Sequence, residues 1–124
     1  MKLVVAGGRS QELTAADLAK LDAIHAAQPV MELVSGGAAG VDRAAEAWAA
    51  SLGIPVRRFQ ADWRRYRRGA GPIRNREMAA YADAVAVFPG GSGTRNMRAE
   101  ARRAGKRVFD FMGETGVAAS GPGK

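Results

Sequence analysis

The six residues Pro89-Gly90-Gly91-Ser92-Gly93-Thr94 constrain this chain more than any other stretch. An apolar run, Ala84 to Phe88, leads into them and a helical pattern, Arg95 to Gly105, leads out. The glycines are therefore expected where a buried strand turns into a helix. Glycine permits φ > 0 and lets a ligand approach with no Cβ in the way. The helix that follows offers unpaired N–H groups and the positive end of its dipole, which together suit an anion such as phosphate. Ser92 and Thr94 add hydroxyls able to cap that helix or to bond a phosphate oxygen. Two further turns have the same character: Leu3 to Ala6 runs into Gly7-Gly8-Arg9-Ser10, and Glu32 to Ser35 runs into Gly36-Gly37-Ala38-Ala39-Gly40-Val41-Asp42. Turn geometry alone accounts for one such glycine cluster. Three in one small chain, each after a strand, point to a ligand beyond the carboxyl ends of a sheet.

The remaining chain alternates strand and helix. Lys2 to Ala6 reads as a strand, and Thr14 as the N-cap of a helix that has Asp17 at its third position and stops near Gln28-Pro29. Val30 to Ser35 is a second strand, Val41 to Leu52 a helix with Gly53 as its C-cap, and Pro55 to Phe59 a third strand. Gln60 to Pro72 reads as a long loop, with Pro72 in the first turn of a helix running to about Tyr81. After the strand 84–88 come a helix over 95–104, ended by Gly105, and a fifth strand over 107–111. Alternation of this kind predicts an α/β fold: a doubly wound parallel sheet of about five strands in a three-layer αβα sandwich. Residues 1–111 form one domain in this reading, and the Gly- and Ala-rich stretch 112–124 a flexible C-terminal tail.

Composition narrows the chemistry. At 124 residues with 47% hydrophobic content, one domain with a real core is expected. With no cysteine, the chain has neither a disulfide frame nor a thiolate metal site. The single histidine, His25, lies in a helical pattern, so no metal site is expected and Ser-His or Cys-His nucleophilic designs lack their parts. No apolar run approaches the roughly 20 residues that cross a bilayer, and the first residues read as a strand rather than a signal peptide. A cytoplasmic protein without a membrane partner is the expectation. The net charge of +7 suits acidic partners, nucleotides and nucleic acid among them.

Several residues are candidates for binding. The Gly90 to Thr94 turn lacks the lysine of a P-loop and the spacing of the dinucleotide fingerprint, and reads as a phosphate or ribose-phosphate cradle. Asp42 either orients a ribose hydroxyl or complements its own helix dipole. Arg64, Arg65, Arg67 and Arg68 are interleaved with Trp63 and Tyr66. Arginine pairs with phosphate and aromatic rings stack on bases, but a solvated basic loop with Trp63 tucked into the domain is the alternative. Arg74-Asn75 stands at a helix start after Gly71-Pro72, where both side chains can face an anion. The carboxylates Asp42, Glu46, Asp62 and Glu100 have no spacing that selects an acid/base pair.

As a set, Gly7-Gly8-Arg9, Ser35 to Asp42, Ala61-Asp62-Trp63, Gly71 to Met78 and Phe88 to Met97 resemble the YspA/YpsA-related family of the SLOG superfamily, over about residues 1 to 111. The resemblance implies a Rossmann-like domain that binds a nucleotide or nucleotide-derived ligand over the glycine turns. On it, the site comprises Gly7, Gly8, Arg9, Ser35, Gly36, Gly37, Gly40, Asp42, Asp62, Trp63, Arg74, Asn75, Gly90, Gly91, Ser92, Gly93, Thr94 and Asn96. The superfamily also includes the lonely-guy phosphoribohydrolases, which cleave the N-glycosidic bond of nucleoside monophosphates, and a DNA-processing protein that binds single-stranded DNA. This chain departs from the phosphoribohydrolases where they carry a catalytic glutamate: Met97 stands there, and Glu100 lies one turn on, about 5 Å along a helix. Binding of a nucleotide-type ligand by a sensor or processing protein is thus the leading expectation, with no cofactor required. The alternatives are a nucleoside 5′-monophosphate N-glycosidase with Glu100 or Asp42 as a displaced acid, and a single-stranded nucleic-acid binder using the loop Arg64 to Arg68. Pairing among superfamily relatives makes a homodimer the expected assembly.

Overall fold

In the computed structural model, which describes residues 1–113, five strands form one parallel sheet. They are β1 (Lys2–Ala6), β2 (Glu32–Ser35), β3 (Val56–Arg58), β4 (Ala84–Val87) and β5 (Arg107–Asp110), in the order β3-β2-β1-β4-β5. The chain starts in the middle, winds outward to β3, and returns to lay β4 on the other side of β1, with Val5 beside Ala86. This is the doubly wound Rossmann-like sheet predicted from the alternation.

Because side chains alternate across a strand, β1 feeds both faces. Leu3 and Val5 join Leu33, Ala86 and Phe88 in one core. That core is closed by Leu21 and Ile24 of α1 (Ala15–Ala27) and by Val41, Ala45 and Trp48 of α2 (Val41–Ser51). Val4 and Ala6 join Val34, Val85 and Val87 on the opposite face. There Met78 and Ala79 of α4 (Ala70–Tyr81) and Met97 and Ala101 of α5 (Ser92–Arg103) cover them. The edge strand β3 is exposed along its length and carries Arg57 and Arg58, a composition that discourages further pairing. Among the described residues no helix is long and apolar enough to cross a membrane.

Local signals explain the first helix. Thr14 Oγ1 accepts the Asp17 N–H at 3.1 Å and Asp17 accepts the Thr14 N–H at 3.0 Å, a reciprocal capping box. At the far end His25 Nδ1 accepts the Val30 N–H at 3.0 Å and its ring meets Trp48 edge-on, so the lone histidine serves the fold.

Three expectations need correction. The stretch read as a loop is folded: α3 (Trp63–Tyr66) is followed by a 3-10 turn (Arg67–Gly69), and α4 then starts at Ala70. Asp62 nucleates α3 by accepting the Arg65 N–H at 3.1 Å, but the helix buries no residue, so it leaves no apolar period to read. Next, α5 begins at Ser92, not Arg95, with Gly91 as its N-cap, so Ser92-Gly93-Thr94 are its first turn rather than the loop before it. Met112, assigned to the tail, is buried in the second core; the rest of that stretch from 114 on lies outside the described residues.

Candidate functional site

The strand order reverses between β1 and β4, and ligands of open parallel sheets bind at such a switch point. The Gly8 N–H donates to the Pro89 carbonyl at 2.9 Å, and the Gly8 carbonyl accepts the Val41 N–H at 3.2 Å. One residue after β1 thus ties together the turns after β4 and β2. The approach is close enough to dictate glycine at position 40. Its φ is +76°, and a Cβ there would run into the Gly8 and Arg9 carbonyls.

The turn after β2 is filled by the protein itself. Ser35 is buried; its hydroxyl donates to Glu46 at 2.7 Å and accepts the Gly37 N–H at 3.0 Å. Glu46 in turn holds Arg58 at 2.6 Å, and that hydrogen-bonded pairing keeps its carboxyl below the usual range. Asp42 accepts the Ala38 N–H at 3.2 Å and is only 8% exposed. Burial pushes its carboxyl up to about 6, against the pull of Ala38 and Arg74.

Arg74 and Asn75 form a strut from this turn to the start of α5. Arg74 Nη1 donates to the carbonyls of Gly36 (3.1 Å) and Phe59 (3.4 Å), and its Nε donates to Asn75 Oδ1 (3.1 Å). Asn75 Nδ2 donates onward to Asn96 Oδ1 (2.9 Å) and the Gly93 carbonyl (3.3 Å). Arg74 Nη2 has no hydrogen-bond partner among the described residues. Burial lowers the Arg74 pKa, and repulsion from Arg9 lowers it further. Two cations are thus held near one another.

These parts enclose a cleft of about 690 Å³, within the range of small-molecule sites. All three turns reach it, through Gly7, Gly8 and Arg9, through Gly36, Ala38 and Asp42, and through Gly91 to Thr94. Trp63, Arg68, Gly71, Pro72, Arg74, Asn75 and Asn96 complete its walls, and Met78 and Met97 add an apolar floor. Arg9, Arg68 and Arg74 face a single lining carboxylate, Asp42. The first N–H groups of α5 have no intrahelical partner, and no side chain caps them. A Cβ built at Gly91 or Gly93 would meet no atom within 4 Å. The arrangement can accept an anion on backbone donors, flank it with guanidinium groups and present a carboxyl to a neutral donor.

Not every residue singled out in the sequence lines this cleft. Ser35, Gly37, Gly40 and Gly90 shape the turns from behind, and Asp62 caps α3. Glu100 stands outside the cleft, 5% exposed, paired with Arg103 at 2.8 Å and Arg76 at 3.9 Å. Of the carboxylates considered as displaced acids, Asp42 alone reaches the cleft. Sequence reasoning missed Met78, Met97, Pro72 and the part played by Arg68. Met97 had a signal, being the apolar residue at the position where an acid was sought.

The family model for the YspA, cpYpsA-related SLOG family matches residues 1–66. The Gene 61 protein of Mycobacterium phage D29 is 36% identical over 98 residues, covering 73% of this chain and 78% of that protein. Among solved structures, the X-ray structure of TM1055, a structural-genomics target, aligns with a TM-score of 0.67 at 19% identity, covering 86% of this chain and 71% of that one. DNA processing protein A (DprA) from Streptococcus pneumoniae aligns with a TM-score of 0.70 at 19% identity, over 92% of this chain. The aligned part is 51% of DprA, so the present chain corresponds to about half of that protein. At such identities the two structures establish a common fold.

Proposed function

Since the chain belongs to the YspA, cpYpsA-related SLOG family, we propose that it binds a nucleotide or nucleotide-derived phosphorylated ligand in the cleft at the switch point, as a sensor or processing protein. The observation that carries this reading is the emptiness around Gly91 and Gly93. Gly93 is already helical, where glycine is less favourable than alanine by up to about 1 kcal/mol, whereas Gly91 is the N-cap, a position that itself favours glycine; at both, nothing in the protein occupies the space that a methyl group would take. The missing side chains leave room for a guest above the free N–H groups of Ser92, Gly93 and Thr94. A phosphate there would lie among Arg9, Arg68 and Arg74, which supply the countercharge. Asp42 is available to a ribose hydroxyl.

Isothermal titration with AMP and ADP-ribose tests the reading, using Gly91→Asp as the discriminating variant. Aspartate is among the best N-caps, so this variant should melt at or above the wild-type temperature. It also sets a carboxylate against the bound phosphate, which should weaken binding by roughly 30-fold or more, an effect of about 2 kcal/mol. Absence of heat with every phosphorylated nucleotide, or unchanged affinity in Gly91→Asp, would remove the proposal.

One observation favours a second reading. Arg64, Arg65 and Arg67 are exposed and lie outside the cleft lining, and the structurally similar DprA is by name a DNA-processing protein. A single strand lying across this helical segment would bind with an affinity falling steeply as salt rises. Oligonucleotide binding measured between 50 and 200 mM salt, in wild type and Gly91→Asp, separates the two: the strand reading predicts a steep salt slope and indifference to the variant.

A further inference from the structure

Trp63 is the one large ring in the described residues left without an aromatic or cationic partner. Trp48 meets His25, Phe59 meets Tyr81, Phe88 meets Phe111, Tyr66 lies under Arg65 and Phe109 under Arg107. Trp63 is 52% exposed, belongs to a helix that buries nothing, and lines the cleft beside Arg68 and Gly71. Burying an indole in the core would have contributed to stability; leaving it open costs that contribution. The ring edge lies beside Gly71, where even a Cβ would stand in ordinary contact with Trp63 Cη2, at 3.6 Å. The segment is also held in an uncommon backbone geometry: Arg67, which ends α3, is the only non-glycine residue at positive φ among those described, at 51°. Residues kept in sparsely populated conformations cluster at ligand clamps.

We infer that Trp63 is the base-stacking wall of this cleft, so that its ligand class is one bearing an aromatic base, a nucleoside phosphate rather than a bare sugar phosphate. An exposed indole offers a flat apolar face to any base and makes no demand on its hydrogen-bonding edge. The phosphate end and the base end of the ligand then meet different parts of the protein: the first turn of α5 with its arginines, and α3. The inference rests on the nucleotide reading above, and it adds to it the residue that holds the base.

The test is a set of affinities measured by calorimetry for AMP, GMP, CMP, UMP and ribose 5-phosphate, in wild type, Trp63→Phe and Trp63→Ala. In wild type at least one nucleotide should bind about tenfold or more tightly than ribose 5-phosphate. Trp63→Ala should erase that margin while leaving ribose 5-phosphate affinity within about twofold, and Trp63→Phe should keep much of it. Nucleotide should also quench wild-type tryptophan emission, and should not quench Trp63→Phe, whose remaining indole, Trp48, is buried and donates to Asp22 at 2.9 Å. If no nucleotide exceeds ribose 5-phosphate in wild type, stacking is refuted while the phosphate site stands. Equal losses for both ligand classes in Trp63→Ala would refute it too, and would make Trp63 a support for the cleft's shape. If none of the five binds, the phosphate reading and this inference fall together.

Discussion

The turns after β2 and β4 sit on one rim of one sheet and are spelled with similar letters, Gly36-Gly37-Ala38-Ala39-Gly40 and Gly90-Gly91-Ser92-Gly93. A methyl group at Gly36 would meet Arg74 Nη1 at 2.7 Å, and one at Gly40 would strike the Gly8 and Arg9 carbonyls. At Gly91 and Gly93 it would meet nothing within 4 Å. The first turn is a close-packed joint, where glycine lets three loops touch. The second is open, and on the proposed function it is a cradle, where glycine makes room for the ligand. One residue type thus does two jobs, and only the neighbours tell them apart. Gly90 belongs with the joint, since its own Cβ would press on Thr94 and lie 2.7 Å from the Gly8 nitrogen.

The largest effect that could break this contrast is in Gly40→Ala. Its φ of +76° and ψ of −126° lie in a region essentially reserved for glycine, and the overlap with two carbonyls forces the joint apart. We expect a loss of about 3 kcal/mol or more, which for a domain of this size is a fall of more than about 10 °C in Tm. Gly91→Ala, at φ −95° with open space around it, should stay within about 1 kcal/mol of wild type. Thermal unfolding of the two variants side by side decides the matter; similar losses would abolish the distinction between joint and cradle.

A middle-sized effect should come from Asp42, the joint's buried acid. Its pKa is raised from 3.8 to about 6, so the native state holds a proton over a range in which the unfolded chain has released it. The stability associated with the neutral acid is complete below about 3.8 and gone above about 6. At about 1.4 kcal/mol per pH unit, that loss is on the order of 2–3 kcal/mol between those limits. Asp42→Asn carries no titrating proton and should flatten this part of the profile, so the difference in stability between variant and wild type should move in the variant's favour as pH rises from 4 to 7. Urea unfolding at four pH values reads this directly; parallel profiles would mean that Asp42 is not the group responsible.

Much of this architecture can be read from the chain because it is written locally. Thr14 and Asp17 announce their helix through a capping box, and the apolar runs at 3–6, 33–34 and 84–88 announce strands buried on both faces. The glycine clusters announce the rim. What the sequence hides depends on partners far away in it. Nothing near Gly40 says that the Gly8 carbonyl will lie against it, and nothing near Gly36 says that Arg74 will. For the same reason Glu100 looks available until Arg76, from another helix, is found beside it; its pairing with Arg103, three residues on, is local. The α3 segment escaped for a different reason: hydrophobic periodicity detects burial, and a helix with no buried residue has no period to detect.

The smallest and sharpest test of the cradle is Gly93→Ala. Gly93 is the second residue of α5, already helical, in space that nothing in the protein fills, and it lines the cleft. If the fold alone had chosen this residue, alanine would be the better choice, by up to about 1 kcal/mol of helix propensity and less near a terminus. Gly93→Ala should therefore unfold at a temperature equal to or slightly above wild type. The new methyl group would stand beside the free N–H groups, where the phosphate is proposed to lie, and should weaken nucleotide binding by about three- to tenfold. A gain in stability together with a loss of affinity is a combination that a merely structural glycine cannot produce. Calorimetric titration and a melting curve on the same preparation measure both, and a variant that melts below wild type while binding as well would return Gly93 to the joint.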